Sequence, residues 1–241
     1  MRALIISDIH GNLTALETVL ADAGDYDSVW CLGDLVGYGP DPNECVARVR
    51  ELPNLTCLIG NHDKAAIGEI DVNAFNTDAR LAVSWTQRAL SDASRRYLTN
   101  LPERIVYGDY TLVHASPSKP IWEYILDRNI AARNFNHFDT LYCLVGHTHI
   151  PVMYVYGEYN TLELRPAYDE LLQFSNERLI VNPGSVGQPR DSNPDAAYAL
   201  LDLETNQWEY RRVPYDIAET QRRMETTALP AHLRARLGRG S

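Results

Sequence analysis

Apolar runs short enough for strands recur along the first half of the chain, and each ends in a small polar cluster. They are Ala3 to Ile6, Val29 to Leu32, Thr56 to Ile59, Thr111 to Val113 and Leu141 to Val145. Runs of this kind, rich in aliphatic residues and closed by turn residues, predict buried strands. Helical spacing fills the gaps. Leu13, Leu16, Val19 and Leu20 form one stripe. Asp41-Pro42-Asn43-Glu44 reads as a helix start: a capping residue, a proline in the first turn, and an acid three residues after the cap. That helix is expected to run to about Leu52 and stop at Pro53. Another helical stretch is predicted over about 75 to 100, carrying Leu81, Val83, Trp85, Ala89 and Leu90. Strand and helix therefore alternate in the α/β manner.

Further on the pattern changes. Arg104 to Tyr107 and Tyr110 to Val113 flank Gly108-Asp109, a hairpin signal. A helix is expected between about Asp127 and Phe138. Strands follow at Val152 to Tyr156, Thr161 to Leu164, Leu179 to Val181, Ala197 to Leu203 and Trp208 to Val213. Their short connections predict a second, largely antiparallel sheet. Two sheets need a shared core and covered outer faces. The expected fold is an α/β, four-layer helix–sheet–sheet–helix sandwich of two mixed sheets. It is read as a single domain over residues 1–241, with a C-terminal helical tail from about 216 whose helix (216 to 226) lies on the outside.

The polar clusters at the strand ends carry the chemistry. They hold Asp8 and His10, Asp34, Asn61, His114, and His147 and His149, so that five of the seven histidines, counting His62, sit in these segments. In open α/β folds ligands bind outside the carboxyl ends of the strands, so these side chains should converge. Asp-x-His at a strand end sends both ligands one way, because side chains two apart share a face. Carboxylate, imidazole and amide ligands without thiolate suit Mn, Fe, Zn or Ni. Asp34 is the natural bridge, since one carboxylate has two oxygens. Two ions about 3.5 to 4 Å apart can activate a water as hydroxide and stabilise the oxygens of an in-line displacement at phosphorus.

Composition narrows the picture. A chain of 241 residues can bury one substantial core. The net charge of −10 argues against general nucleic-acid binding and would repel a phosphate substrate unless bound cations supply local positive charge. Cys31, Cys45, Cys57 and Cys143 form no C-x-x-C pair and read as buried reduced thiols, which fits a cytoplasmic protein. No signal peptide or membrane span is expected, and oligomeric state is left open. The arginines of the C-terminal part read as solvated helix faces. His137 and His232 lie outside the motifs.

With S-D-I-H-G-N, L-G-D-L-V-G, G-N-H-D, L-V-H-A-S and G-H-T-H in this order, the chain resembles the calcineurin-like metallophosphoesterase family over residues 2 to about 203. The resemblance implies two divalent ions, manganese first among the candidates. Asp8, His10, Asp34 and His149 would hold one, and Asp34, Asn61, His114 and His147 the other. His62 matches the family's proton donor or phosphate-orienting residue, and Asp63 its supporting acid. The implied activity is hydrolysis of a small phosphoester, phosphodiesters first. Phosphomonoesters, phosphoproteins and nucleoside polyphosphates fit the same chemistry. The rival is a silent scaffold of the same fold, but no ligand position is lost.

One departure bears on substrate. Tyr38 stands where dinucleoside-tetraphosphate hydrolases and phosphoprotein phosphatases carry a phosphate-clamping arginine, and tyrosine cannot supply two charged donors. Tyr38 is a candidate substrate contact or a packing residue. Val181 to Arg190 resembles a turn of small bacterial and archaeal members. Arg190 binds phosphate or pairs with Asp191. Trp122, Glu123 and Tyr124 follow the His114 loop and line the site rim or pack in the core.

Overall fold

The computed structural model describes residues 1–157 and 159–241. Twelve strands occur among these residues: β1 Arg2–Ile6, β2 Ser28–Cys31, β3 Leu55–Cys57, β4 Arg104–Tyr107, β5 Tyr110–Val113, β6 Tyr142–Leu144, β7 Val152–Val155, β8 Leu162–Leu164, β9 Leu171–Gln173, β10 Leu179–Asn182, β11 Ala196–Asp202 and β12 Gln207–Val213. The helices are α1 Leu13–Asp22, α2 Pro42–Arg50, α3 Asn61–Ala66, α4 Thr77–Ala89, α5 Asp92–Thr99, α6 Arg128–Asn134, α7 Ile217–Glu225 and α8 Ala231–Leu237. One sheet runs β3-β2-β1-β11-β12-β9, the other β4-β5-β6-β10-β7-β8.

The strands lack polar alternation because both their faces are covered. On β1, Ala3 and Ile5 point between the sheets, where they join Trp30, Tyr142, Leu144, Trp208 and Tyr210. Leu4 and Ile6 point the other way, against Leu16 and Val19 of α1 and Val46 and Val49 of α2. The far face of the second sheet, with Val113, Cys143 and Ile180, packs on Ala131, Phe135 and Phe138. This is the helix–sheet–sheet–helix order. All four cysteines are buried and unpaired. No helix among the described residues is long and apolar enough to cross a membrane.

Several expectations are corrected. The late strands do not all build the second sheet: β11 pairs antiparallel with β1 and β12 with β11, so both extend the first. The second sheet is mixed, as expected, with β6 parallel to both β5 and β10 and the sheet's other pairings antiparallel. β9, three residues long, had no pattern to find. The helical stretch over 75 to 100 breaks at Ser91, whose hydroxyl accepts from the Ser94 amide and starts α5. Asp41 precedes α2 but makes no side-chain cap; its carboxylate is held by Arg223 of α7 instead. The C-terminal helices are tied to the body of the fold. Thr220 of α7 donates to Asn12 Oδ1, and the buried side chains of α7 and α8 pack around Tyr38.

Candidate metal centre

The strand-end clusters converge. Asp8 and His10 follow β1, Asp34 follows β2, Asn61 to Asp63 open α3 after β3, His114 follows β5, and His147 and His149 follow β6. All are buried, His62 the most open of them at 5% exposure. Asp8, His10 and His149 bring ligand atoms within 4.8 Å of one another, and so do Asp34, His114 and His147. A third group, His10, Asp34 and His62, overlaps both. Asp34 Oδ2 lies 3.3 Å from His114 Nε2 and 3.7 Å from His10 Nε2. Asp8 Oδ1 lies 3.3 Å from His149 Nε2. Asn61 Oδ1 is 3.2 Å from His114 Nε2.

The two ligands of each D-x-H and H-x-H pair do not face one way because of a strand. β1 and β6 have already ended. Asp8 (φ 54°), His10 (φ 51°), His147 (φ 64°) and His149 (φ 60°) are all left-handed, as is Asp34 (φ 55°). Such backbone is uncommon outside glycine and clusters at functional sites. Crossing amide bonds fix these loops. The His147 amide donates to Asp8 Oδ2 at 3.1 Å, and the His62 amide to Asp34 Oδ1 at 2.9 Å. The loops meet so closely that a Cβ at Gly60 would stand 2.0 Å from Asp34 Oδ1, and one at Gly146 would stand 2.0 Å from Ser7 Oγ.

Three imidazoles are oriented by carbonyls. Nδ1 of His10 faces the Val36 carbonyl at 3.1 Å, that of His114 the Leu32 carbonyl at 2.9 Å, and that of His149 the Gln188 carbonyl. A carbonyl can only accept, so each Nδ1 carries hydrogen and a neutral ring presents a bare Nε2. His10 and His149 thus point two lone pairs at each other across 3.0 Å. Asp34 Oδ2 and His147 Nε2 are buried without a hydrogen-bond partner. Facing lone pairs and orphaned acceptors suit a bound cation. The donor set fits divalent metal.

The electrostatics agree. Burial alone would raise Asp8, but His149 and His114 outweigh it and keep the carboxylate ionised. Asp34 is lowered in the same way by His114 and His62. Burial holds His10 and His149 low and takes His147 down to about 3. His114 goes the other way, to about 10, because Asp34 and Asp8 overcome its burial. His62 is brought to about 4 by burial despite Asp34, with Arg190 adding to the fall.

Asp63 sits beside the site rather than in it. Its oxygens accept from the Val36 and Gly60 amides, each at 3.0 Å, tying the Asp34 loop to the Asn61 loop. No hydrogen bond joins it to His62 among the described residues. Tyr38 lies at the rim with φ 57°, its ring centre 4.6 Å from that of His62 and 4.9 Å from that of His10. Tyr124 stacks on His147 at 3.8 Å. Trp122 packs on Phe75, and Glu123 takes hydrogen bonds from Ser116 and Asn134. His137 and His232 are exposed and away from the site; His232 pairs with Asp78. Sequence reasoning missed the carbonyl partners of the histidines, which carry no side-chain signal, and Arg236, whose guanidinium reaches the Tyr38 ring from α8.

Residues 1–206 match the model of the calcineurin-like phosphoesterase superfamily domain. The crystal structure of a metallophosphoesterase from Sphaerobacter thermophilus is 49% identical, with a TM-score of 0.93 over 100% of this chain and 99% of that one. An uncharacterized protein of Methanocaldococcus jannaschii is 37% identical over 97% of this chain and 96% of its own length. Phosphodiesterase YfcE of Escherichia coli is 28% identical over 84% of this chain and 88% of its own. The chain belongs to the calcineurin-like phosphoesterase superfamily, a family of metal-dependent hydrolases.

Proposed function

We propose that the chain hydrolyses small phosphoesters, phosphodiesters foremost, at a centre for two divalent ions, manganese first among them. Asp8, His10, Asp34 and His149 would hold one ion, and Asp34, Asn61, His114 and His147 the other. The observation that carries this reading is Asp34. Its Oδ2 has no hydrogen-bond partner and lies between His10 Nε2 and His114 Nε2, one from each cluster. When bound, the ions would supply a deprotonated water near neutrality and positive charge for the phosphoryl oxygens. The likeness to a phosphodiesterase of Escherichia coli supports the diester preference.

The chain's own groups supply position and proton handling. Asp34 and the carbonyl-oriented imidazoles fix the floor. His62 has a buried Nδ1 without a partner, and its ring borders both His10 and Tyr38. Neutral at pH 7, it offers one N–H to a phosphoryl or leaving oxygen. A phosphate anion beside it favours its protonated form, from which the proton passes to the leaving oxygen. Four buried free thiols support a reducing, cytoplasmic setting.

The test loads purified protein with Mn and measures bound metal beside hydrolysis of a generic aryl diester and aryl monoester. Two ions per chain, activity lost on chelation, and faster diester cleavage are expected. One ion with full activity sinks the two-ion centre; faster monoester cleavage overturns the diester preference.

A further inference from the structure

The rim of the centre holds two guanidinium groups that form no ion pair with an aspartate or glutamate side chain among the described residues. Arg190 leaves the loop after β10. Its amide donates to the His149 carbonyl, and its Nη2 donates to Gln188 Oε1 at 2.8 Å. Gln188 thus orients His149 with its carbonyl and Arg190 with its side chain. Asp191, the acid next in the chain, is taken by Arg212 instead. Nε of Arg190 is buried without a partner. Arg236 arrives from α8; its Nε donates to a main-chain oxygen of Ser241, the last residue of the sequence, and Asp78 favours its charged form.

Both guanidiniums meet at one ring. The Cζ of Arg190 lies 5.7 Å from the Tyr38 ring centre and that of Arg236 5.8 Å from it. The same ring borders His10 and His62. Stacking on an aromatic face holds a guanidinium in place and leaves its edge N–H groups free. Two like charges around one ring repel, and burial and Arg190 together depress the Arg236 cation. An arrangement of that kind is stabilised by an anion that both can reach. In a chain of net charge −10, two cations gathered around one ring at the mouth of the site suit an anionic ligand.

We propose that Arg190 and Arg236 form an anion subsite that takes a second phosphate group of the substrate, so that the phosphoesters this centre prefers carry two phosphates. The proposal rests on the reading of the site as a phosphoesterase and deepens it. Tyr38, at the position of a family clamp arginine, becomes the platform on which arginines from two later segments are laid. A guanidinium fork pairs two N–H groups with two phosphate oxygens. A hydrogen bond to a charged group of this kind is worth about tenfold or more in affinity.

The test uses full-length, Mn-loaded protein hydrolysing a generic aryl diester with metal in excess, and compares methylenediphosphonate with methylphosphonate as inhibitors. The wild type should prefer the diphosphonate. Arg236→Gln should cut that preference about tenfold, and Arg236→Lys should restore part of it. Arg190→Lys, which keeps the charge and loses the fork, should reduce it from the other side. Arg239→Gln, at an exposed position of the same segment, should leave it unchanged. A merely structural role for Arg236 would lower melting temperature and rate without moving the ratio of the two inhibitors. A ratio unchanged in Arg236→Gln and Arg190→Lys, with hydrolysis intact, overturns the subsite alone. A wild type that hydrolyses no aryl phosphoester overturns the phosphoesterase reading, and the subsite with it.

Discussion

The floor of the site and its rim are built on different principles. On the floor, every candidate ligand but Asn61 is fixed by backbone. Asp8, His10, Asp34, His147 and His149 are left-handed, and His10, His114 and His149 are oriented by carbonyls. The rim is built of side chains lying on side chains. Tyr124 rests on His147, Arg190 and Arg236 on Tyr38, and Tyr124 remains 41% exposed. A floor determined by backbone holds its geometry before any ligand arrives, which is what metal chemistry needs. A rim held by ring faces can be re-dressed without moving the floor. On the proposed function, the floor would carry the metal chemistry and the rim would set the choice of substrate.

The sharpest way to break this contrast is Asp34→Asn. The change keeps shape and removes the charge shared by the two clusters. Partners one step removed from a metal already cost about 10 to 100-fold, so a shared ligand should cost about 10³-fold or more in kcat/KM and weaken both ion sites. No rim substitution should approach this. Elemental analysis and steady-state rates check it. Loss of a single ion, or a loss no larger than that of Tyr124→Phe, would dissolve the distinction between floor and rim.

His62 stands on the boundary, with its amide on Asp34 and its ring on Tyr38 and Phe75. Substitution by alanine should leave both ions bound. It should lower the rate about 10²-fold for esters with poor leaving groups and far less for activated aryl esters, which need little protonation. Equal losses on both substrate types would assign His62 to positioning, as part of the floor.

This division also explains what was legible in the sequence. The floor ligands stand next to strands whose apolar runs are unmistakable, so Asp8, Asp34 and His114 announce themselves by position. What turns them inward does not: the left-handed turns at Asp8 and His147 use ordinary residues, and the motif reads as strand periodicity when it is not. Sheet membership was hidden because β11 finds β1 across nearly the whole chain, through backbone bonds that carry no residue signature. Asp41 looked like a cap by local rules, and Arg223, 182 residues away, outbid the local helix for its carboxylate. Arg236 could not be told from the solvated arginines around it. Its role depends on α8 folding back over Tyr38, which no local pattern encodes.

The smallest effect concerns protons, and it sharpens the account of the floor. A histidine must be neutral to ligate. Burial already keeps His10, His147 and His149 neutral at pH 7, so they have no proton to lose. His114 is the exception. Asp34 and Asp8 overcome its burial and raise it to about 10, so without ions it carries a proton at neutrality. Asp63 is raised to about 7 by burial and by the Asp34 charge, so neutralising Asp34 should lower it and add to the protons released. Ion binding at pH 7 should therefore release between about one and about two protons per chain, and affinity should rise about tenfold per pH unit from neutrality toward pH 10. The stability sign runs the other way. A histidine raised in the fold stabilises the ion-free chain fully below its ordinary value near ~6.5 and loses that contribution as pH climbs through about 10. The gap in melting temperature between ion-loaded and ion-free protein should therefore widen with pH. Calorimetric titration with Mn in two buffers of different ionisation enthalpy counts the protons. A count of zero, with affinity flat between pH 6 and 8, would mean that His114 is not the proton-bearing ligand and that the floor is not poised as its charges indicate.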